Sequence, residues 1–401
     1  MVRLGEIFDV QITGEWGNEC AANETGTKVL RTTNFTSDGI IDFENVVIRI
    51  INKAKVEKKR LHCGDIILEK SGGTEKTPVG RVVFCDESIE DDTYLCNNFT
   101  QAMRVNQKVA FPRYVFYFMW YLHYSGRTDL LQNKTTGIRN LQVRSYLKEE
   151  SPLPPLDEQR RIAAVLDKVS GLIAKRREQL DKLDELVKSR FVEMFGDPKQ
   201  NPMKWPVVGI TEVIGGKVSN GFFAKRDAYC DDGNVQVLGV ANIVNRMYSS
   251  IDDLPRTNAT SMDKEKYGVK YGDMLFCRSS LVAEGIGKAS IVPKNTSSNV
   301  LFECHVIRLP LNLRKCVPEF MQVLSTTEFF RQQIIAQSKT ATMTTIGQDG
   351  ILKSQIILPP VEQQQKFLHF IEQTNKSKLT IQQSLDKLEV LKKALMQQYF
   401  G

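Results

Sequence analysis

The 401-residue sequence contains no apolar run long enough to cross a bilayer. Its most hydrophobic stretch, YVFYFMWYL at 114–122, is closed off by Arg113 and His123. A spanning helix needs roughly 20 apolar residues, so this stretch predicts a core helix and no membrane partner. No leader pattern follows Met1-Val2-Arg3, which predicts a cytoplasmic protein. The eight cysteines never form a C-x-x-C pair and the four histidines are scattered. That spacing argues against zinc and for buried thiols in a reducing compartment. Catalytic signatures are also missing. There is no G-x-x-x-x-G-K-S/T phosphate loop, no glycine-rich cofactor turn after a strand, and no Asn/Asp-Pro-Pro-aromatic tetrapeptide of the kind that grips a flipped base. The glycines of AEGIGKAS, residues 283–290, are not followed by a long helical pattern. A non-catalytic chain without its own cofactor or metal is expected.

What is present is ample material for packed cores. Apolar residues make up 41% and charged residues 25%, the globular average, and single cores usually stop growing before this length. The net charge of +7 is a mild basic balance, compatible with a phosphate-bearing partner without establishing one.

The strongest signal is repetition. LPPLDEQRR at 153–161 returns as LPPVEQQQK at 358–366, a displacement of 205 residues. With the same displacement LDKL at 180–183 falls on 385–388, Phe195-Gly196 on Phe400-Gly401, and QNKTT at 132–136 on QSKTA at 337–341. Farther upstream the displacement is 208, where VLRTTN (29–34) meets VLGVAN (237–242) and GDIILEKS (64–71) meets GDMLFCRS (272–279). The chain is two copies of one plan, each with about 150 variable residues before about 45 regular ones. The expected organisation is a first variable domain at 1–152, a helical spacer at 153–200, a second domain at 201–357 and a second spacer at 358–401.

The regular parts predict helices. Leu166, Ile173, Leu180, Val187 and Met194 recur every seven residues, interleaved with Ile162, Val169 and Leu183, which is an a/d seam. Arg176 and Arg190 interrupt it where the second copy has Ile381 and Leu395; conversely Lys378 and Lys392 replace Ile173 and Val187. Seams apolar in different places suit helices that pair with each other. Pro154-Pro155 with Asp157 and Glu158 suit a helix start, and Gly196 with Asp197-Pro198 a stop. The 40 residues from Leu156 to Phe195 would make a rod of about 60 Å.

The variable parts predict strands at VVIRII (46–51), DIILEK (65–70), RVVFC (81–85), DMLFCR (273–278) and ASIVP (289–293). These runs are short, β-branched and bounded by turn formers. One helical stretch then closes each domain, PRYVFYFMWYLHY in the first and PEFMQVLSTTEFFRQQI (318–334) in the second. Clustered carboxylates beside a lysine, Asp65, Glu69 and Lys70, raise a metal-dependent nuclease as an alternative. The second copy keeps Asp273 and Arg278 but has Cys277 for the glutamate, which favours a structural Gly-Asp turn.

The remaining candidates are polar loops at matching places in both copies. Residues 69–77 offer Lys70, Ser71, Gly72, Gly73, Thr74 and Lys76, with glycines that allow close backbone approach. Their counterparts at 277–288 are Arg278, Ser279, Ser280 and Lys288. The segments at 132–140 and 337–345 add Lys134, Arg139, Lys339 and Thr344. Arg31, Thr33 and Asn34, opposite Asn242, lie just past a strand, and Arg and Asn are the usual readers of guanine and adenine edges.

The motifs LPPLDEQRRI and LPPVEQQQKF, GDIIL…SGG and GDMLF…SS, KTTGIRN and KTATMTT, in duplicated order over nearly the whole chain, resemble one family: the specificity subunits of type I restriction-modification enzymes. The second helix start departs from the first in having Gln363 where Glu158 stands, and loop variation leaves the recognised bases open. The resemblance implies an α+β fold of two similar strand-rich target recognition domains, separated by an antiparallel pair of long coiled-coil helices with pseudo-twofold duplication. It implies that each domain reads half of a split site on double-stranded DNA and that the helices dock two methyltransferase subunits. It also implies recruitment of restriction and translocase subunits, with S-adenosylmethionine, ATP and Mg²⁺ held by partners. A rod between two readers would fix the unread spacing near one turn, about 34 Å. A coiled-coil protein scaffold is the alternative from another class.

Overall fold

Each proline pair opens a 40-residue helix, Leu156–Phe195 and Val361–Phe400, in a computed structural model that describes residues 1–21, 24–75, 77–133 and 137–401. The first helix stops where the glycine and proline signals place its end. Gly196 takes φ +77°, open to a residue without Cβ, and the Trp205 indole donates to the Phe195 carbonyl at 3.0 Å.

Contacts divide the chain into two compact units, residues 1–178 with 382–401, and residues 179–381. Each unit therefore contains half of both long helices. In the first unit Phe8–Thr13, Thr100–Val105, Ile66–Glu69 and Val82–Phe84 form an antiparallel sheet in that order. A second sheet pairs Thr27–Leu30 in parallel with Tyr94–Cys96. The other unit repeats this with Ser219–Asn220, Val306–Pro310, Asp273–Cys277 and Ala289–Ile291, and a parallel pair of Val235–Leu238 with Val300–Phe302. All five predicted strand runs form strands. The closing helix Pro112–Tyr124 is continuous, but its counterpart is two helices, Pro318–Thr326 and Glu328–Ala336, because Thr327 is extended (ψ 151°). The Thr326 and Thr327 hydroxyls both donate to backbone carbonyls one turn back, at 2.7 Å, a local bond that competes with the helix.

The helix halves are fused into these cores. In the first unit Ile162, Ala163 and Leu166 share a buried cluster with Met396 and Phe400, and the Phe400 ring lies 5.3 Å from Tyr114 and 5.8 Å from Phe118. In the second, Val187, Phe191 and Phe195 meet Phe367 and Ile371. The start of one helix thus packs on the end of the other in both units, the antiparallel pairing expected. Each fully buried aromatic contributes about 1.5–3 kcal/mol. The lysines that interrupt the seam are accommodated: Lys378 pairs with Asp184. Buried Lys392 lies 4.6 Å over the Trp120 ring, with burial lowering its pKa.

One polar contact recurs at both junctions. Gln159, 1% exposed, accepts from the Phe111 N–H at 2.8 Å and donates to the Pro154 carbonyl at 2.8 Å. Gln364, fully buried, accepts from the Val317 N–H at 2.8 Å and donates to the Pro359 carbonyl at 2.8 Å. Each glutamine fixes the start of a long helix to the start of a closing helix, whose first residue is Pro112 or Pro318. Of the cysteines, Cys85, Cys96, Cys277 and Cys316 are buried and Cys63 is exposed.

Gln364→Leu should leave the Val317 N–H buried without a partner and cost about 1–3 kcal/mol. A urea melt of the full chain with an unchanged midpoint would contradict this clasp.

Candidate nucleic-acid interface

The strand Ile66–Glu69 does not end at its turn. Beyond Lys70 the chain changes sheets, and Ser71–Gly73 pairs with Arg139–Leu141, which pairs with Gln132–Asn133. Lys70 is the pivot: its N–H donates to the Phe99 carbonyl at 2.9 Å and its carbonyl accepts from the Leu141 N–H at 2.8 Å. Arg278 does the same in the second unit, donating to His305 at 2.8 Å and accepting from Ile346 at 3.0 Å. Ser279–Ser280 then pairs with Thr344–Thr345, and that strand with Lys339–Thr340. Two loops far apart in sequence become one three-stranded edge in each unit.

The edge presents cations, hydroxyls and open backbone. Half-buried Lys70 and Arg139 stand beside exposed Gly72, which has φ +98° and nothing within 4 Å of where a Cβ would be. Gly73 is different: a Cβ there would lie 2.7 Å from the Thr77 carbonyl, whereas Gly137 (φ +77°) in the partner loop is as open as Gly72. The Ser71 hydroxyl donates to Asn140, and the Thr74 and Thr77 hydroxyls are 2.7 Å apart. In the second unit Arg278 donates to the Cys304 carbonyl at 3.2 Å, Ser279 lies 3.0 Å from His305 Nδ1, and Ser280 accepts from the Val282 N–H at 3.3 Å. Lys288 donates to Asn245 at 2.7 Å, and Lys339 is exposed. Lys76 and Lys134 lie outside the described residues.

Some candidates are corrected. Asn34 is 2% exposed; it accepts from the Arg31 N–H at 2.9 Å and donates to the Asp42 and Glu44 carbonyls at 3.0 and 3.1 Å. Asn242 likewise accepts from the Gly239 N–H at 3.0 Å. Asn34 thus locks a turn rather than reads bases, while Asn242 makes the same turn bond and stays half-buried. Arg31 is turned onto its own unit, donating to the Asn45 carbonyl at 3.0 Å, while Thr33 remains exposed. Thr344 is 2% exposed, its hydroxyl 3.1 Å from that of Thr340. The nuclease alternative loses its ligands. Asp65 receives both arms of Arg104 at 2.8 Å, and Glu69 receives Arg81 at 2.8 and 2.9 Å, which leaves neither carboxylate for a metal ion. Asp273 has no such pair in its place, and burial raises its pKa.

Sequence reasoning missed two features of the edge. Phe99 and His305 are exposed at equivalent places beside the pivot cations, and Leu281 and Val282 project from the second edge at 82% and 59% exposure. Strand pairing alone puts Phe99 and His305 there; an exposed Leu-Val pair after two serines was the available signal for the other.

The pattern defining the type I restriction modification DNA specificity domain matches residues 1–184 and again residues 202–391. The type I restriction enzyme EcoKI specificity subunit of Escherichia coli is 22% identical over 369 residues, 86% of this chain and 74% of that protein. The MjaVIII specificity subunit of Methanocaldococcus jannaschii is 22% identical over 279 residues, 66% of this chain. The chain spans 64% of that archaeal relative's length. A crystal structure of a type I restriction-modification S subunit from M. genitalium superposes with a TM-score of 0.52 at 11% identity, covering 100% of this chain and 95% of that one. A structure from work on type I assembly and conformational transition gives 0.52 at 16%, covering 100% and 96%. Both show the same fold.

Replacing Lys70 or Arg278 by Ala should weaken retention of every duplex alike and reduce the slope of log affinity against log salt by about 0.9 each. An unaltered slope in filter-binding titrations would remove these positions as phosphate contacts.

Proposed function

The chain belongs to the family of type I restriction-modification DNA specificity subunits, and from that premise we propose that its two units each read one half of a split site on double-stranded DNA. The role of the family is DNA sequence recognition without catalysis. The observation that carries the bipartite reading is the recurrence of one edge: a cation at the pivot, serine next, and a partner strand from the later loop, in both units. Basic and hydroxyl groups position a phosphate backbone, while the tips that differ between the copies carry the sequence choice. Thr74 and Glu75 occupy the first tip, Leu281 and Val282 the second.

The long helices supply the spacing and dock two methyltransferase subunits in this reading. Leu186 and Leu391 mark two equivalent candidate docking places: they occupy the same position of the repeat and are 47% and 45% exposed. S-adenosylmethionine, ATP and Mg²⁺ then reside in methyltransferase and restriction or translocase partners, and this chain contributes recognition. No helix among the described residues is long and apolar enough to cross a membrane.

Inserting one heptad into both helices, after Leu180 and after Leu385, should lengthen or disable the unread spacer in the methylated motif while leaving the bases of both half-sites as they were; a changed half-site contradicts the reading. Leu186→Asp combined with Leu391→Asp should release the methyltransferase on co-purification, and full retention would place docking elsewhere.

A further inference from the structure

The two units carry a cavity at the same place with different walls. In the first unit Trp120 lines a cavity of about 380 Å³, stacked on Tyr124 at 5.0 Å with Lys392 above its ring. Arg81 is neutralised there by Glu69 at 2.8 Å, and Asp38 pairs with Arg177. Hydrogen bonding identifies the counterparts in the second unit. The Glu69 N–H donates to the Arg81 carbonyl and the Cys277 N–H to the Lys288 carbonyl, both at 2.8 Å, so Cys277 stands for Glu69 and Lys288 for Arg81. The Asn34 carbonyl accepts from Asp42 and the Asn242 carbonyl from Ser250, which puts Arg246 in the place of Asp38. The clasp glutamines align Phe111 with Val317, so Thr326 stands for Trp120 and Gln322 for Phe116.

These exchanges remove bulk, negative charge or both. The result is a somewhat larger cavity, about 460 Å³, walled by Lys188, Arg246, Lys288 and Arg331 over apolar Val187 and Val323. The only carboxylate in its lining, Asp184, is held by Lys378. Asn245 orients Lys288 at 2.7 Å, and Arg331 donates one nitrogen to the Glu284 carbonyl at 3.0 Å while its buried Nη1 has no hydrogen-bond partner among the described residues. Four cations around one concavity repel each other unless an anion sits among them. The volume suits a small ligand with an apolar part, and arginine with lysine is the pairing that holds phosphate.

We infer that this pocket of the second unit binds a phosphate-bearing anion, seated among Lys188, Arg246 and Lys288. A free nucleotide and a backbone phosphate flanking the half-site share that chemistry. The test uses the full chain at fixed ionic strength. Pyrophosphate and AMP are titrated calorimetrically, and duplexes carrying one neutral methylphosphonate at a time outside the methylated motif are measured for affinity. Arg246→Asp restores the first copy's residue on an exposed side chain, and Thr326→Trp restores the first copy's aromatic wall. The wild type should bind pyrophosphate or AMP, or lose duplex affinity at a flanking position, and Arg246→Asp should weaken that response about tenfold or more, with Thr326→Trp doing the same if it folds. Free-anion binding alone assigns the pocket to a nucleotide; a flanking effect alone assigns it to DNA. The inference is overturned if the wild type shows neither response, if Arg246→Asp keeps the wild-type response, or if Arg246→Asp loses only association with a methyltransferase subunit. The free-anion arm holds whether or not the units read DNA, so its failure is separable from failure of that reading.

Discussion

The start of each long helix is fastened to its globular lobe by a buried glutamine. Gln159 and Gln364 satisfy a backbone N–H at the start of a closing helix and a proline carbonyl at the start of a long one. A glutamine amide has both a donor and an acceptor, so a single residue fixes the distance between two backbone segments; in a buried site the alternative is an unpaired amide. The aromatic clusters around Phe400 and Phe367 supply more free energy, but burial is non-directional. The clasp supplies register.

Once the lobes are fastened alike, differences between them are confined to places that the clasp does not constrain. The three-stranded edges keep their strand pairing and pivot cation while their tips change from Thr74-Glu75 to Leu281-Val282. The cavity beside each closing helix keeps its place while Trp120 gives way to Thr326 and Asp38 to Arg246. A repeated frame with exchangeable surfaces is what a recognition subunit requires, because binding specificity changes without redesign of the core.

The frame was legible in the sequence. Helix bounds followed from proline pairs and a heptad seam, and strand positions from β-branched runs, because both signals are local. The interruption of the seam fits helices that pair with each other at Lys378, which meets Asp184 of the other long helix, whereas Lys392 lies over Trp120 of the closing helix. The site was legible only in part. Joining residues 69–77 to 132–140 required strand pairing across about 60 residues, which no local pattern encodes. Asn34 and Thr344 were misread because a polar residue beside a strand looks the same whether its hydrogen bonds go inward or to a ligand. The acidic pair Asp65 and Glu69 raised a metal site that Cys277 of the second copy already disfavoured, and Arg104 and Arg81 hold the two carboxylates.

The central claim is that each lobe is an independent reader held by the same clasp. It is tested most directly by sequencing the methylated motif in a host that supplies the methyltransferase partner and carries a chain whose residues 201–357 are replaced by a second copy of residues 1–152. The account predicts a motif in which the first lobe's half-site occupies both positions. A motif that keeps the original second half, or one in which both halves become new, would contradict it.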